Sequence, residues 1–283
     1  MERVFGIDVS KWQGNFDFNK AKNEGVKFAI LRGAYSTSKD VKFETYYKNA
    51  KAQGLDVGVY LYSMATTTDK AKKEAEFLYN NCLKGKQFEL PIYFDIEDKV
   101  QKKLSKATNT SIVKAFCETL EAKGYWVGIY ASKSFYSSYL NDKELQCYAH
   151  WVAQWSKSCT YKGNDGVLGM WQFGGESNLL RSNKIAGVTC DQNYMLIDYP
   201  TKIKNAGKNG YAKKTSATTI KYYKKYTGTS GSIVTALNTI GVDSSFSYRK
   251  KIATKNNITN YKGTSSQNIK MLSLLKDGKL LKL

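Results

Sequence analysis

Pro91-Ile92-Tyr93-Phe94-Asp95-Ile96-Glu97-Asp98 is an apolar strand that runs into acids. Strand side chains alternate faces, so Asp95 and Glu97 point one way and Ile96 the other, with the two Cα atoms roughly 6.5 Å apart. Two neighbouring carboxylates do not both ionise freely, and the more buried one is pushed toward a raised pKa and can donate a proton. That is the equipment for acid-assisted cleavage of a glycosidic bond. Acids at a strand end also cap helices or pair with lysines, so the choice rests on what recurs elsewhere.

The same event occurs at Val4-Phe5-Gly6-Ile7-Asp8-Val9-Ser10 and at Gly187-Val188-Thr189-Cys190-Asp191-Gln192-Asn193. Three predicted strands thus end in carboxylates. Between them, Lys27 to Ala34, Asp56 to Met64 and Trp126 to Ala131 read as strands, with His150 to Trp155 and Leu168 to Phe173 as late ones. Lys42 to Gln53, Asp69 to Cys82 and Ser111 to Lys123 carry apolar residues at helical spacing. Alternation of this kind predicts an α/β fold with a mostly parallel sheet and helices outside. In a barrel of parallel strands, functional groups collect at the C-terminal ends, where Asp8, Asp95, Glu97 and Asp191 would share one pocket.

Gly6-Ile7-Asp8-Val9-Ser10-Lys11-Trp12-Gln13-Gly14 resembles the opening of family 25 glycoside hydrolases, the lysozymes of phages and bacteria. The resemblance continues through Phe28-Ala29-Ile30-Leu31-Arg32-Gly33, Gly58-Val59-Tyr60-Leu61-Tyr62, Tyr93-Phe94-Asp95-Ile96-Glu97, Trp151-Val152-Ala153-Gln154-Trp155, Met170-Trp171-Gln172-Phe173 and Val188 to Asp191. It covers residues 1–200 and implies an irregular β/α (TIM-like) barrel that cuts the β-1,4 bond after N-acetylmuramic acid in peptidoglycan. By that resemblance Glu97 is the general acid. Asp95 holds the transition state by charge or orients the N-acetyl group, and Asp8 and Asp191 position sugar, water and Glu97. Retaining, inverting and substrate-assisted routes all remain open, since the i, i+2 spacing suits either carboxylate separation.

Trp12, Tyr60, Tyr62, Trp155 and Trp171 lie near predicted strand ends. Sugar faces pack on aromatic rings, although most rings in a barrel serve as core. Trp12, Tyr62 and Trp171 are the preferred substrate contacts because each adjoins a family motif. Arg32 either binds a carboxylate or forms an ion pair with one of the four acids.

The 283 residues suffice for a barrel plus a small module. Pro200 is read as closing the last barrel strand and marking a boundary. Residues 201–283 carry 17 Lys and Arg against 2 Asp and Glu, whereas residues 1–200 carry 27 against 22. The tail is therefore the part suited to a polyanion. Residues 201–231, rich in Lys, Thr and Ser, read as a linker. Residues 232–283 read as a mostly helical domain of three short helices, capped by Ser232, by Ser244 or Ser245, and by Thr264 or Ser265, with Ile269, Leu272 and Leu275 inward in the third. Ser232-Ile233-Val234, Gly241 to Phe246, Arg249-Lys250-Lys251 and Asn260 to Thr264 resemble the wall-binding module of phage N-acetylmuramoyl-alanine amidases. So small a core is marginal alone, and self-association through this module would extend it.

No cofactor or metal is expected. The chain has one histidine, His150, so a His-based amidase zinc site is not available. Its five cysteines form no CxxC pair and are spaced like neither a disulfide scaffold nor a zinc cluster. Met1-Glu2-Arg3-Val4-Phe5 leads straight into the first strand without a leader's apolar region. Synthesis in the host cytoplasm and action at the bacterial wall after release are therefore expected, with peptidoglycan and anionic wall polymers as partners. The alternatives are a catalytically silent wall-binding protein, which intact acids disfavour, and a basic nucleic-acid binder, for which the tail shows no recognised motif.

Overall fold

The computed structural model describes residues 3–163, 168–176, 180–213 and 221–283. It divides into two compact units, Met1–Lys214 and Thr215–Leu283. The first holds strands β1 (Val4–Val9), β2 (Phe28–Tyr35), β3 (Ser38–Lys39), β4 (Asp56–Tyr62), β5 (Ile92–Asp95), β6 (Val127–Ser132), β7 (Ala149–Ala153), β8 (Leu168–Gly174), β9 (Lys184–Ile185), β10 (Val188–Thr189) and β11 (Asp191–Met195). Eight of them close a barrel in the order β1-β2-β4-β5-β6-β7-β8-β11. Neighbours from β1 to β8 pair in parallel. β11 runs antiparallel to both β8 and β1.

Helices α1 (Phe18–Asn23), α2 (Phe43–Ala52), α3 (Thr68–Leu78), α4 (Lys106–Glu121) and α5 (Lys133–Tyr139) follow the early strands. The parallel barrel strands β1, β2 and β4 to β8 are largely apolar on both faces because one face meets helices and the other the barrel interior. In β5, Phe94 packs on Phe116 of α4 at 4.6 Å between centroids. Tyr93 joins an inner core with Phe28, Ile30, Trp151 and Met170. Glycines make room there: a Cβ on Gly6 would sit 2.5 Å from the Phe28 ring, and one on Gly128 would sit 2.5 Å from Tyr93.

Two expectations need correction. Residues 187–193 are not one strand ending in Asp191. β9 and β10 form a separate hairpin, Cys190 is buried, and β11 begins at Asp191. Because β11 runs backwards, its first residue reaches the rim where β1 ends, and Asp8 pairs with Asp191. Nor does the first unit stop at residue 200. Pro200 opens α6 (Tyr199–Ala206), where a missing N–H costs nothing. Tyr199 and Ile203 close the inner core. Asn209, at φ 55°, then donates to Leu90 O at 2.7 Å and accepts from Trp126 N at 2.6 Å. The expected linker therefore starts inside the barrel unit, and its stretch 214–220 lies outside the described residues.

The second unit contains α7 (Ile233–Thr239), α8 (Phe246–Lys255) and α9 (Ser265–Lys276), capped by Ser232, Ser245 and Thr264. Tyr223 and Tyr226, placed in the linker by composition, are buried in its core with Leu237, Ile252, Met271 and Leu275. Ile269 is 59% exposed rather than inward. Met271, Leu272 and Leu275 set the buried stripe, and position 269 falls beside it, past the Leu272 edge, at 3.6 residues per turn. No helix among the described residues is long and apolar enough to cross a membrane.

Candidate active site

A cavity of about 220 Å³ opens at the C-terminal rim of the barrel. Asp8, Asp95, Glu97 and Asp191 all line it, together with Trp12, Arg32, Tyr60 and Tyr62. Parallel strands bring the first three there by their direction, and the reversed strand brings the fourth by its start. Among the described residues, no three metal-ligating side chains converge as metal ligands do.

The carboxyls are held differently. Asp8 is buried, and its Oδ2 accepts from Gln172 Nε2 at 3.0 Å and from Asn193 Nδ2 at 2.8 Å. Burial pushes its pKa up to about 6, against the pull of those two hydrogen bonds. Asp95 is buried with Oδ1 lacking any partner, and burial followed by the Glu97 and Asp8 charges drives it well above the usual range, with Arg32 opposing. Glu97 is partly exposed and raised by burial and then by Asp8, with Lys102 opposing. Asp191 rises to about 8 through burial and then the charges of Asp8 and Glu97. Each of the four carboxyls therefore favours its protonated form more than a free one does, Asp191 more than Asp8.

Ser10 caps the turn Lys11–Gln13 in a reciprocal box with Gln13, which leaves Trp12 76% exposed at the mouth. Arg32 pairs through Nε with Asp40 at 2.8 Å, not with one of the four acids. Asp40 also accepts from Lys11 N at 3.0 Å, so one carboxylate fixes both Arg32 and the Trp12 turn. Tyr62 donates to Asp98 at 3.0 Å and stacks on Tyr35 with centroids 5.0 Å apart.

Trp171 is not a cavity residue. It is 1% exposed on the outer face, beside Phe173 and Tyr194, and its Nε1 donates to Gln154 O at 2.8 Å. Its neighbours Met170 and Gln172 face inward. Trp155 is 41% exposed and outside the cavity lining, but its Nε1 donates to Gln172 Oε1 at 3.1 Å, so it flanks the site. Sequence reasoning missed Gln172, Asn193, Tyr130 and Trp151. The available signal was a lone amide inside an apolar strand, as in Met170-Trp171-Gln172-Phe173.

Comparison with known proteins bears on the family and the fold. The profile of the family "Glycosyl hydrolases family 25" matches residues 7–180. An autolytic lysozyme of Clostridium acetobutylicum is 29% identical over 156 residues, 54% of this chain and 45% of that protein. The chain thus spans less than half the length of that relative. Lysozyme M1 of Streptomyces globisporus is 25% identical over 65% of this chain and 68% of its own length. The crystal structure of the CTP1L endolysin superposes with a TM-score of 0.60 at 26% identity, covering 71% of this chain and 69% of that one. Asp191 lies beyond the matched segment, so its place at the rim is a finding of the fold.

Proposed function

The chain belongs to family 25 of the glycosyl hydrolases, and from that premise we propose that it is a peptidoglycan hydrolase cutting the β-1,4 bond between N-acetylmuramic acid and N-acetylglucosamine. The observation that carries this reading is the set of four carboxyls on one rim, unequal in burial and in proton affinity. Glu97 is accessible, raised in pKa, and free of hydrogen bonds to described residues. In this reading it protonates the glycosidic oxygen as the bond to the anomeric carbon breaks. Asp95 sits deeper with an unpartnered oxygen. An N-acetyl N–H from the substrate supplies the missing donor there, which orients the acetamido group beneath the anomeric carbon. In the same reading Asp8 supplies negative charge to the developing positive centre, and Asp191 positions the incoming water. Trp12, Tyr60 and Tyr62 pack on sugar faces, while Trp155 extends the cleft wall.

The second unit is proposed as a wall-binding module. Residues 221–283 carry 12 Lys and Arg against Asp243 and Asp277, and none of the ion pairs among described residues lies there. Such a surface suits an anionic wall polymer and binds it less tightly at high salt.

Digestion of purified Gram-positive peptidoglycan, borohydride reduction and mass spectrometry test the reaction. New reducing ends on N-acetylmuramic acid are expected, absent with Glu97→Gln. Reducing ends on N-acetylglucosamine would change the bond assignment. Wall binding with no cleavage would mean a recognition protein built on an enzyme's barrel. A chain ending at residue 213 should cut soluble fragments yet lyse cells poorly. Undiminished lysis would remove the targeting role.

A further inference from the structure

Asp8 is gripped at one oxygen by two amides whose orientation is itself fixed. Trp151 Nε1, a donor with no acceptor capacity, points at Asn193 Oδ1 at 2.8 Å. The carbonyl end of Asn193 must meet that donor, so its NH₂ is turned toward Asp8 Oδ2 at 2.8 Å. Gln172 repeats the device. Trp155 Nε1 and the Tyr130 hydroxyl both meet Gln172 Oε1, at 3.1 and 3.0 Å, which sends its NH₂ to the same oxygen of Asp8 at 3.0 Å. Two N–H donors on one carboxyl oxygen favour the ionised form of Asp8. Gln172, Asn193 and Trp151 are almost fully buried, so water does not easily replace any link.

We propose that Asn193 and Gln172 are positioning residues that hold Asp8 as the fixed anion of the site and thereby keep the transferable proton on Glu97. The inference rests on the reading of Glu97 as proton donor and adds what maintains it. Asp8 is faced by Arg32 from β2, Tyr60 from β4, Asp95 from β5 and Glu97 just after it, Tyr130 from β6, Cys190 ahead of β11 and Asp191 at its start. Arg32 is the only cation lining the cavity among the described residues, and its Nε is committed to Asp40. Lys102 acts on Glu97 from outside the lining, and Asp98 opposes it. Asp95, Glu97 and Asp191 each feel the Asp8 charge as a push toward the protonated form. Removing an amide donor lets Asp8 take up a proton, and its neighbours then release theirs at lower pH.

The test is kcat/KM against pH on a soluble wall oligosaccharide for the full chain and Asn193→Leu, with carbon-13 carboxyl titration of Asp8 in both. The alkaline limb should move down by about one pH unit in Asn193→Leu while the Asp8 titration moves up by a similar amount. Asp8→Asn should move the limb of its residual activity in the same direction. Trp151→Phe, which frees the Asn193 amide without touching Asp8, should give a smaller shift and serves if Asn193→Leu does not fold. A lower kcat with an unmoved limb and an unmoved Asp8 titration would overturn the proposal, leaving the amides as packing. An Asp8 titration that moves while Asp8→Asn leaves the limb in place would overturn the link to Glu97. A wild-type chain that cleaves nothing would overturn the hydrolase reading, and the Asp8 titration would still decide whether the amides hold the anion.

Discussion

Asp95 at the C-terminal rim of the barrel and Glu89 just before β5 are equally buried, at 3% and 4% exposure, yet they are treated in opposite ways. Glu89 pairs with Lys51, receives the Tyr211 hydroxyl and accepts from Val57 N at 3.0 Å. Those partners overcome burial and lower its pKa. Asp95 has an oxygen with no partner, and its pKa is driven up. One carboxyl closes the foot of the barrel, and the other lines the cavity at the rim. The difference teaches that burial alone does not mark a functional acid. The mark is burial without a partner, with like charges near it.

The largest expected break in that comparison is kinetic. Glu97→Gln should lower turnover by roughly 10²–10⁴-fold with the melting temperature unchanged or slightly raised. Residual cleavage near the wild-type rate would send the acid role elsewhere. At the foot, Glu89→Ala should cost about 2–4 kcal/mol of stability, because a buried N–H is left unpaired and a lysine loses its partner. Denaturant titration measures that loss, and kcat of the folded enzyme should hold. A fall in kcat without loss of stability would erase the division between the two ends.

pH sharpens the comparison because the two ends titrate with opposite signs. Asp8 and Asp191 bind protons more tightly when folded, with values of about 6 and 8 against an ordinary 3.8. Their contribution to stability is greatest below about pH 4 and falls as pH rises through 6 and 8. Glu89 is lowered from 4.5, so its contribution is present above that value and lost as pH falls through the folded pKa. Asp191→Asn should therefore gain ~1–3 kcal/mol over wild type near pH 9 and nothing near pH 4. A gain independent of pH would show that packing, not charge, explains it.

The smallest effects separate the two tryptophans once grouped together. Trp12→Ala should raise KM about tenfold and leave stability within ~0.5 kcal/mol. Trp171→Phe should leave KM alone and cost about 1 kcal/mol for one lost hydrogen bond. The reverse pattern would return Trp171 to the cleft.

Much of the rim was legible in the chain. Tyr93-Phe94-Asp95-Ile96-Glu97 has the parity that puts both acids on one face, and strand direction puts that face at the mouth. Ser232, Ser245 and Thr264 announced their helices because a side-chain oxygen before an apolar repeat is local chemistry. The linker reading failed at Tyr223 and Tyr226 because composition does not record burial.

By itself, the sequence determined the alternation of strands and helices, the acids at strand ends and the basic second unit. These depend on short-range periodicity and on charge, which act without knowledge of distant partners. Only the tertiary structure decided which tryptophan faces inward, because strands covered on both sides are apolar on both sides and parity has no polar mark. It alone set β11 antiparallel, so that Asp191 meets Asp8 from the start of a strand and not its end. It alone brought Asn193 and Gln172 from 185 and 164 residues away onto one oxygen of Asp8. Such contacts are products of barrel closure, and no local signal encodes them.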